Sequence, residues 1–149
     1  SLFAVLGDLT GCSFLDLFSG SGVIALEAFS RGASPIVAVE RDAAKRSTIA
    51  RNFALADPPP RLIIAPVERF VATARDSFDL VFLDPPFDYR YKSDLLERIS
   101  RSSLVKPGGR LLIHYPGPEE LPAELRSMRR SDERRYGRSR VAFYDRDPA

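Results

Sequence analysis

Short apolar runs alternate with longer amphipathic stretches along most of the chain, the pattern of parallel strands joined by crossover helices. Phe14-Leu15-Asp16-Leu17-Phe18 reads as a buried strand that ends in Ser19-Gly20-Ser21-Gly22. A helix is expected from Val23 to Arg31, with Gly32 closing it. Ile36-Val37-Ala38-Val39-Glu40 is a second strand, followed by a helix from the N-cap Asp42 to about Ala56, where Asp57-Pro58-Pro59-Pro60 stops it. A third strand, Arg61 to Ala65, leads through Pro66 to a short helix over Glu68 to Arg75. The fourth strand, Phe78 to Leu83, ends in Asp84-Pro85-Pro86-Phe87, which can continue neither a ladder nor a helix. Tyr91 to Ser102 reads as the next helix, and Pro107-Gly108-Gly109 as a tight turn into a fifth strand, Arg110 to Tyr115.

The tail departs from this rhythm. After a loop over Pro116 to Leu121, polar and apolar residues alternate from Leu125 to Arg135 and from Arg140 to Tyr144 around Tyr136-Gly137, a β-hairpin signal. The expected fold is therefore α/β: a Rossmann-like three-layer sandwich whose mostly parallel seven-stranded sheet ends in an antiparallel hairpin. Its ligand crevice belongs at the C-terminal ends of the strands. Residues 1–149 read as one domain without repeats. Leu2 to Leu6 read as the last turns of a helix that begins upstream of Ser1.

Composition narrows the chemistry. Of the 149 residues 44% are apolar, enough for a sizeable core, and 22 Lys+Arg stand against 20 Asp+Glu, too even a balance to identify a polyanion partner. The lone Cys12 cannot form an internal disulfide, and with His114 as the one histidine no metal site is expected and a Ser/His/Asp triad is disfavoured. No apolar run approaches the roughly 20 residues that span a bilayer. A cytoplasmic protein without membrane contact is expected, with a monomer as the default.

Three features carry candidate chemistry. Gly20 and Gly22 sit at a strand-to-helix turn, where a backbone free of Cβ lets a ligand approach. Glu40, 18 residues after Gly22, can accept from the hydroxyls of an adenosine ribose. Gly20-Ser21-Gly22-Val23-Ile24-Ala25 also satisfies a dinucleotide fingerprint, so a nicotinamide enzyme stays open on this block alone. Asp16 inside the first strand suits a cationic ligand end instead. Asp84-Pro85-Pro86-Phe87 suits an exocyclic amine of a nucleobase. The Asp84 carboxylate and the Pro85 carbonyl can accept its two hydrogens, the prolines stiffen the turn, and Phe87 offers a stacking face.

Asp16 to Gly22, Glu40 and Asp84 to Phe87, in this order, resemble a class I S-adenosylmethionine-dependent methyltransferase acting on amino groups. Together with Glu27 to Ala33 and Phe78 to Leu83 they resemble, over nearly the whole chain, the bacterial family that methylates guanine N2 in small-subunit ribosomal RNA. The resemblance implies that Asp16, Gly20 and Gly22 hold the methionine part of the cofactor, with Phe18 and Ser19 also among the cofactor-binding residues. Glu40, with Arg41 beside it, would bind the ribose, and Asp84, Pro85, Pro86 and Phe87 would form the target-amine site. Where that family usually has an Asp facing adenine this chain has Pro66, so adenine recognition is expected from backbone groups near Pro66 and Val67. The family's basic N-terminal segment would be represented here only by its end. Ribosomal RNA, or a small-subunit particle, is the implied partner.

Charge distribution adds to this. Seven arginines between positions 126 and 140, against Asp132 and Glu133, give that segment a local charge of +5 and leave −3 for the rest. Arg134, Arg135 and Arg138 around Tyr136 are the candidate RNA contacts, although charges on an edge hairpin also guard against sheet aggregation. His114 reads as a strand-end residue rather than an acid or base. Tyr89 and Tyr91 either line the base pocket or anchor the next helix. Adenine-N6 or protein-amide methylation, nicotinamide-dependent oxidoreduction and a non-catalytic RNA-binding scaffold are the competing functions.

Overall fold

The computed structural model describes residues 2–149, so Ser1 lies outside the described residues. Its seven strands are β1 (Phe14–Asp16), β2 (Ile36–Glu40), β3 (Arg61–Ile64), β4 (Phe78–Leu83), β5 (Val105–Pro116), β6 (Met128–Tyr136) and β7 (Ser139–Arg146). They form one sheet in the order β3-β2-β1-β4-β5-β7-β6, parallel through β5 and antiparallel at β7 and β6. The chain builds outward from β1 to β3, then returns to place β4 on the other flank of β1. That reversal makes a crevice beyond the C-terminal ends of β1 and its neighbours.

Strand alternation explains the layers. Leu15, Val37, Val39, Val81, Leu83, Leu111 and Ile113 point to one face, where α3 (Val67–Thr73) and α4 (Lys92–Arg101) cover them with Phe70, Val71, Leu95, Leu96 and Ile99. Phe14, Ala38, Leu80, Phe82 and Leu112 point to the other, against Ile24, Ala25 and Ala28 of α1 (Val23–Ser30) and Ile49 and Phe53 of α2 (Arg46–Phe53). The three-layer expectation is met, and β2 and β4 keep the bounds read from the sequence.

Three local expectations are corrected. The helix foreseen over Asp42 to Ala56 is a 3-10 turn, Ala43–Lys45, followed by the shorter α2; Asp42 caps the turn by accepting from the Ala44 amide. Pro107-Gly108-Gly109 does not precede β5 but lies within it. Pairing with β4 slips there, from Phe78 opposite Val105 to Leu80 opposite Arg110. Gly108, at φ 78°, turns its amide to the Asp147 carbonyl, and a Cβ on Gly109 would lie 2.8 Å from the Lys106 carbonyl. Leu2–Leu6 form a 3-10 turn rather than the end of an α-helix.

Candidate active site

The crevice holds about 820 Å³ and is walled by four chain segments: the loop after β1, the residues after β2, the start of α3 and the turn after β4. Phe18, Gly20, Glu40, Arg41, Pro66, Val67, Asp84 and Pro86 line it, so eight of the residues singled out from the sequence converge on one space. Asp16, Ser19, Gly22, Pro85 and Phe87 are not in its wall. Asp16, at the end of β1, and Ser19, in the loop that follows, are both buried.

Asp16 is fully buried; its Oδ1 accepts from the Phe18 amide at 3.3 Å, while Oδ2 has no partner. Burial pushes its carboxyl up to about 7, and the charges of Asp84 and Glu40 push the same way. Ser19 Oγ is a second buried atom without a partner. Unmet polar atoms of this kind are rare in folded proteins and point to a polar ligand that meets them. Gly20, at φ 59°, has open space where a Cβ would stand, so ligand can lie against its backbone. Gly22 serves packing instead: a Cβ there would come 2.7 Å from the Phe53 ring, and the bare backbone lets the start of α1 sit on α2.

Glu40 does more than offer acceptors. Its Oε1 accepts from the Gly20 amide and its Oε2 from the Asp42 amide, each at 2.8 Å, so it ties the glycine loop to the segment after β2. Each oxygen retains a second lone pair for ligand hydroxyls. Glu40→Ala strands two backbone N–H groups. It is expected to lower the thermal midpoint by on the order of 5 °C, as thermal unfolding of the variant beside wild type reads.

The turn after β4 sets Pro85 in the interior, Pro86 at the crevice wall and the Phe87 ring 76% exposed. Tyr89 folds back into the crevice wall, edge-on to Phe18 at 5.3 Å between ring centres, and donates to Glu68 Oε2 at 2.6 Å. Burial and the Glu68 carboxylate raise the Tyr89 phenol well above its ordinary range, so it stays a donor. Of the two roles weighed for Tyr89, lining the pocket is the one the geometry bears out. Tyr91 stands 62% exposed, 5.9 Å edge-on from Tyr89.

Sequence reasoning missed two residues. Lys92 is 3% exposed, donates to the Tyr89 carbonyl and pairs with Glu119 at 3.0 Å, pinning the post-β4 turn to the segment after β5. Its lysine identity gave no signal, because exposed lysines are the rule. His114 is not an idle strand-end residue: its Nδ1 lies 3.0 Å from Asp84 Oδ1 and its Nε2 2.7 Å from Ser139 Oγ. Its position at the same strand edge as Asp84 was the available hint.

The hairpin arginines divide. Arg140 pairs with Glu133 at 2.8 Å and lies over the Tyr115 ring, and Arg130 donates to the Leu121 carbonyl. Arg134 pairs with Asp132 and stacks over Phe143. Arg135 and Arg138 are exposed, with no ion pair among the described residues. No group of three or more His, Cys, Asp or Glu able to hold a metal occurs among the described residues, and no described helix is long and apolar enough to cross a membrane.

Comparison with known proteins supplies the remaining constraint. Residues 1–145 match a protein family described as Conserved hypothetical protein 95. A solved structure, a conserved hypothetical protein from Streptococcus pyogenes, superposes with a TM-score of 0.88 at 31% identity, over 98% of this chain and 93% of that one. "Putative rRNA methyltransferase YlbH" of Bacillus subtilis is 28% identical over 150 residues, 97% of this chain and 82% of its own length. "Ribosomal RNA small subunit methyltransferase D" of Escherichia coli is 36% identical over 74 residues, a match confined to 49% of this chain and 37% of that protein.

Proposed function

The chain belongs to the family described as Conserved hypothetical protein 95, and we propose that it is an S-adenosylmethionine-dependent ribosomal RNA methyltransferase whose target is the exocyclic N2 amine of a guanine in small-subunit RNA. The observation that carries this reading is the convergence of the glycine loop, Glu40 and the Asp84-Pro85-Pro86 turn on one crevice. The unmet atoms Asp16 Oδ2 and Ser19 Oγ fit the polar methionine end of the cofactor, and the open side of Gly20 fits its close approach.

Bound S-adenosylmethionine supplies an electrophilic methyl group on a sulfonium. The protein's part is to place a weak nucleophile and take its proton. Asp16 binds the ammonium end, Glu40 the ribose hydroxyls, and Pro66 and Val67 border the adenine. Asp84 Oδ2 and the Pro85 carbonyl accept from the target amine, favour a pyramidal nitrogen and aim its lone pair. Asp84 would take the amine proton as the new N–C bond forms at the expense of the sulfonium S–C bond. Phe87 stacks on the target base, and its exposure leaves the ring free to do so.

The test is incubation of the protein with methyl-labelled S-adenosylmethionine and, separately, naked small-subunit RNA and small-subunit particles, followed by digestion to nucleosides. N2-methylguanosine is the expected product. N6-methyladenosine or labelled protein would assign the same turn to a different amine, and binding of NAD in place of S-adenosylmethionine would overturn the cofactor class.

RNA contact is assigned to the hairpin arginines. Arg135 and Arg138 are free for phosphate, whereas Arg134 is already held by Asp132 and Phe143. Replacing Arg135 and Arg138 together by Ala is expected to weaken RNA binding and reduce the slope of log K against log salt by about 1.5–2. An unchanged slope returns the strip to solvated surface.

A further inference from the structure

Asp84 is the acceptor on which the proposed chemistry turns, yet a carboxylate at the end of a strand can rotate. Its Oδ1 is held at 3.0 Å by His114 Nδ1, from the neighbouring strand β5. The other ring nitrogen is held in turn, 2.7 Å from Ser139 Oγ at the start of β7. Ser139 Oγ also lies 3.0 Å from the Tyr136 carbonyl, which anchors it to the hairpin turn. Nδ1, which faces a carboxylate, is the donor to Asp84, and Nε2 is held by the Ser139 hydroxyl.

The surroundings favour a donor there. Asp16, Glu40 and Asp84 put three carboxylates at adjacent strand ends, and their mutual repulsion is among the causes that raise Asp16. Among the described residues His114 is the one basic side chain paired with Asp84. The two arginines that stack on Phe143 on this side of the sheet are engaged elsewhere, Arg110 with Asp145 and Arg134 with Asp132.

We propose that His114 is a positioning residue of the target-amine site: held by Ser139 on the hairpin, it fixes Asp84 by its Oδ1 and leaves Oδ2 for the amine. This rests on the methyltransferase reading above and adds a residue to it. It also makes the hairpin turn that carries Arg138 part of the same hydrogen-bonded chain as the amine acceptor. RNA seated on that turn and the acceptor in the crevice thus share one rigid reference.

Three substitutions separate positioning from bulk. The amide nitrogen of Asn can occupy the place of Nδ1, that of Gln the place of Nε2, and Ala neither. His114→Asn is expected to keep kcat within about fivefold of wild type, whereas His114→Gln and His114→Ala lose on the order of 10- to 100-fold, all with unchanged S-adenosylmethionine affinity. Losses that are alike in the three variants and track their thermal midpoints would overturn the proposal. A second readout needs no turnover. His114 is the only histidine of these 149 residues, so its ring nitrogens give unambiguous ¹⁵N signals in this chain near neutral pH. A protonated Nδ1 whose signal moves in Asp84→Asn is the expected result. A bare Nδ1, or one indifferent to Asp84→Asn, overturns the assignment. If wild type methylates no RNA while the ¹⁵N signals are as expected, the failure lies in the substrate reading and the His114–Asp84 link stands.

Discussion

Asp84→Ala is expected to cut methyl transfer on the order of 10²- to 10³-fold, by analogy with removal of a single preorganised polar group at a reacting centre, and to leave S-adenosylmethionine affinity within a few-fold. The asymmetry follows from position. Asp84 stands at the crevice wall, 38% exposed and fixed by His114, whereas the residues assigned to cofactor lie on the loops after β1 and β2. Its loss removes the proposed acceptor of the amine and of its proton while leaving the Glu40 bridge from Gly20 to Asp42 in place. Single-turnover transfer at saturating cofactor, beside calorimetric titration, measures both quantities. Equal loss of both would mean that Asp84 belongs to the cofactor site.

The second large effect concerns Asp16 and has a pH signature. The carboxyl rises from 3.8 to about 7 in the folded chain, first because it is buried and then because Asp84 and Glu40 repel its charge. The folded state therefore holds this proton more tightly than the unfolded one. The stability so contributed is complete below about 3.8 and is lost as pH rises through 7. At about 1.4 kcal/mol per pH unit, the loss between pH 5 and pH 8 is roughly 3 kcal/mol. The ligand-free wild type is expected to lose that much relative to Asp16→Asn over this interval, by denaturant unfolding at each pH.

Under the proposed assignment of Asp16 to the cofactor's ammonium, the bound ligand reverses the preference, since it needs the ionised carboxylate. Wild-type affinity should climb as pH rises toward 7 and then level off, with protons released on binding below that point. Titration in two buffers of different ionisation enthalpy counts those protons. In Asp16→Asn affinity should be low and nearly independent of pH, and a pH slope that survives in the variant would assign the proton to another group.

Much of this architecture is legible in the chain because local chemistry and tertiary placement agree. Ile36–Glu40 and Phe78–Leu83 are apolar runs, the first entered from Ser34-Pro35 and the second ended by Asp84-Pro85, and both strands form with those bounds. What stays hidden depends on pairing between distant segments. The partner of His114 across β5 and β7 is Ser139, 25 residues away, and no local pattern announces that contact. Lys92 and Arg140 look like surface charges until the fold brings Glu119 and Glu133 to them. The slip inside β5 escapes a reading of Pro107-Gly108-Gly109 as a turn because nothing local says that the ladder resumes beyond it.

That slip bears on which changes of length the fold can absorb. Asp16, Glu40, Asp84 and His114 share one side of the sheet because each falls two residues after an inward neighbour: Phe14, Ala38, Phe82 and Leu112. Strand parity, more than any single contact, gathers them. An inserted residue between Leu112 and His114, or between Phe82 and Asp84, would turn the functional group to the α3 and α4 side. Residues added at Lys106–Gly109 lie before pairing resumes at Arg110 and leave that parity untouched. One end of the sheet is thus free to vary in length, while the other is locked to a count of residues.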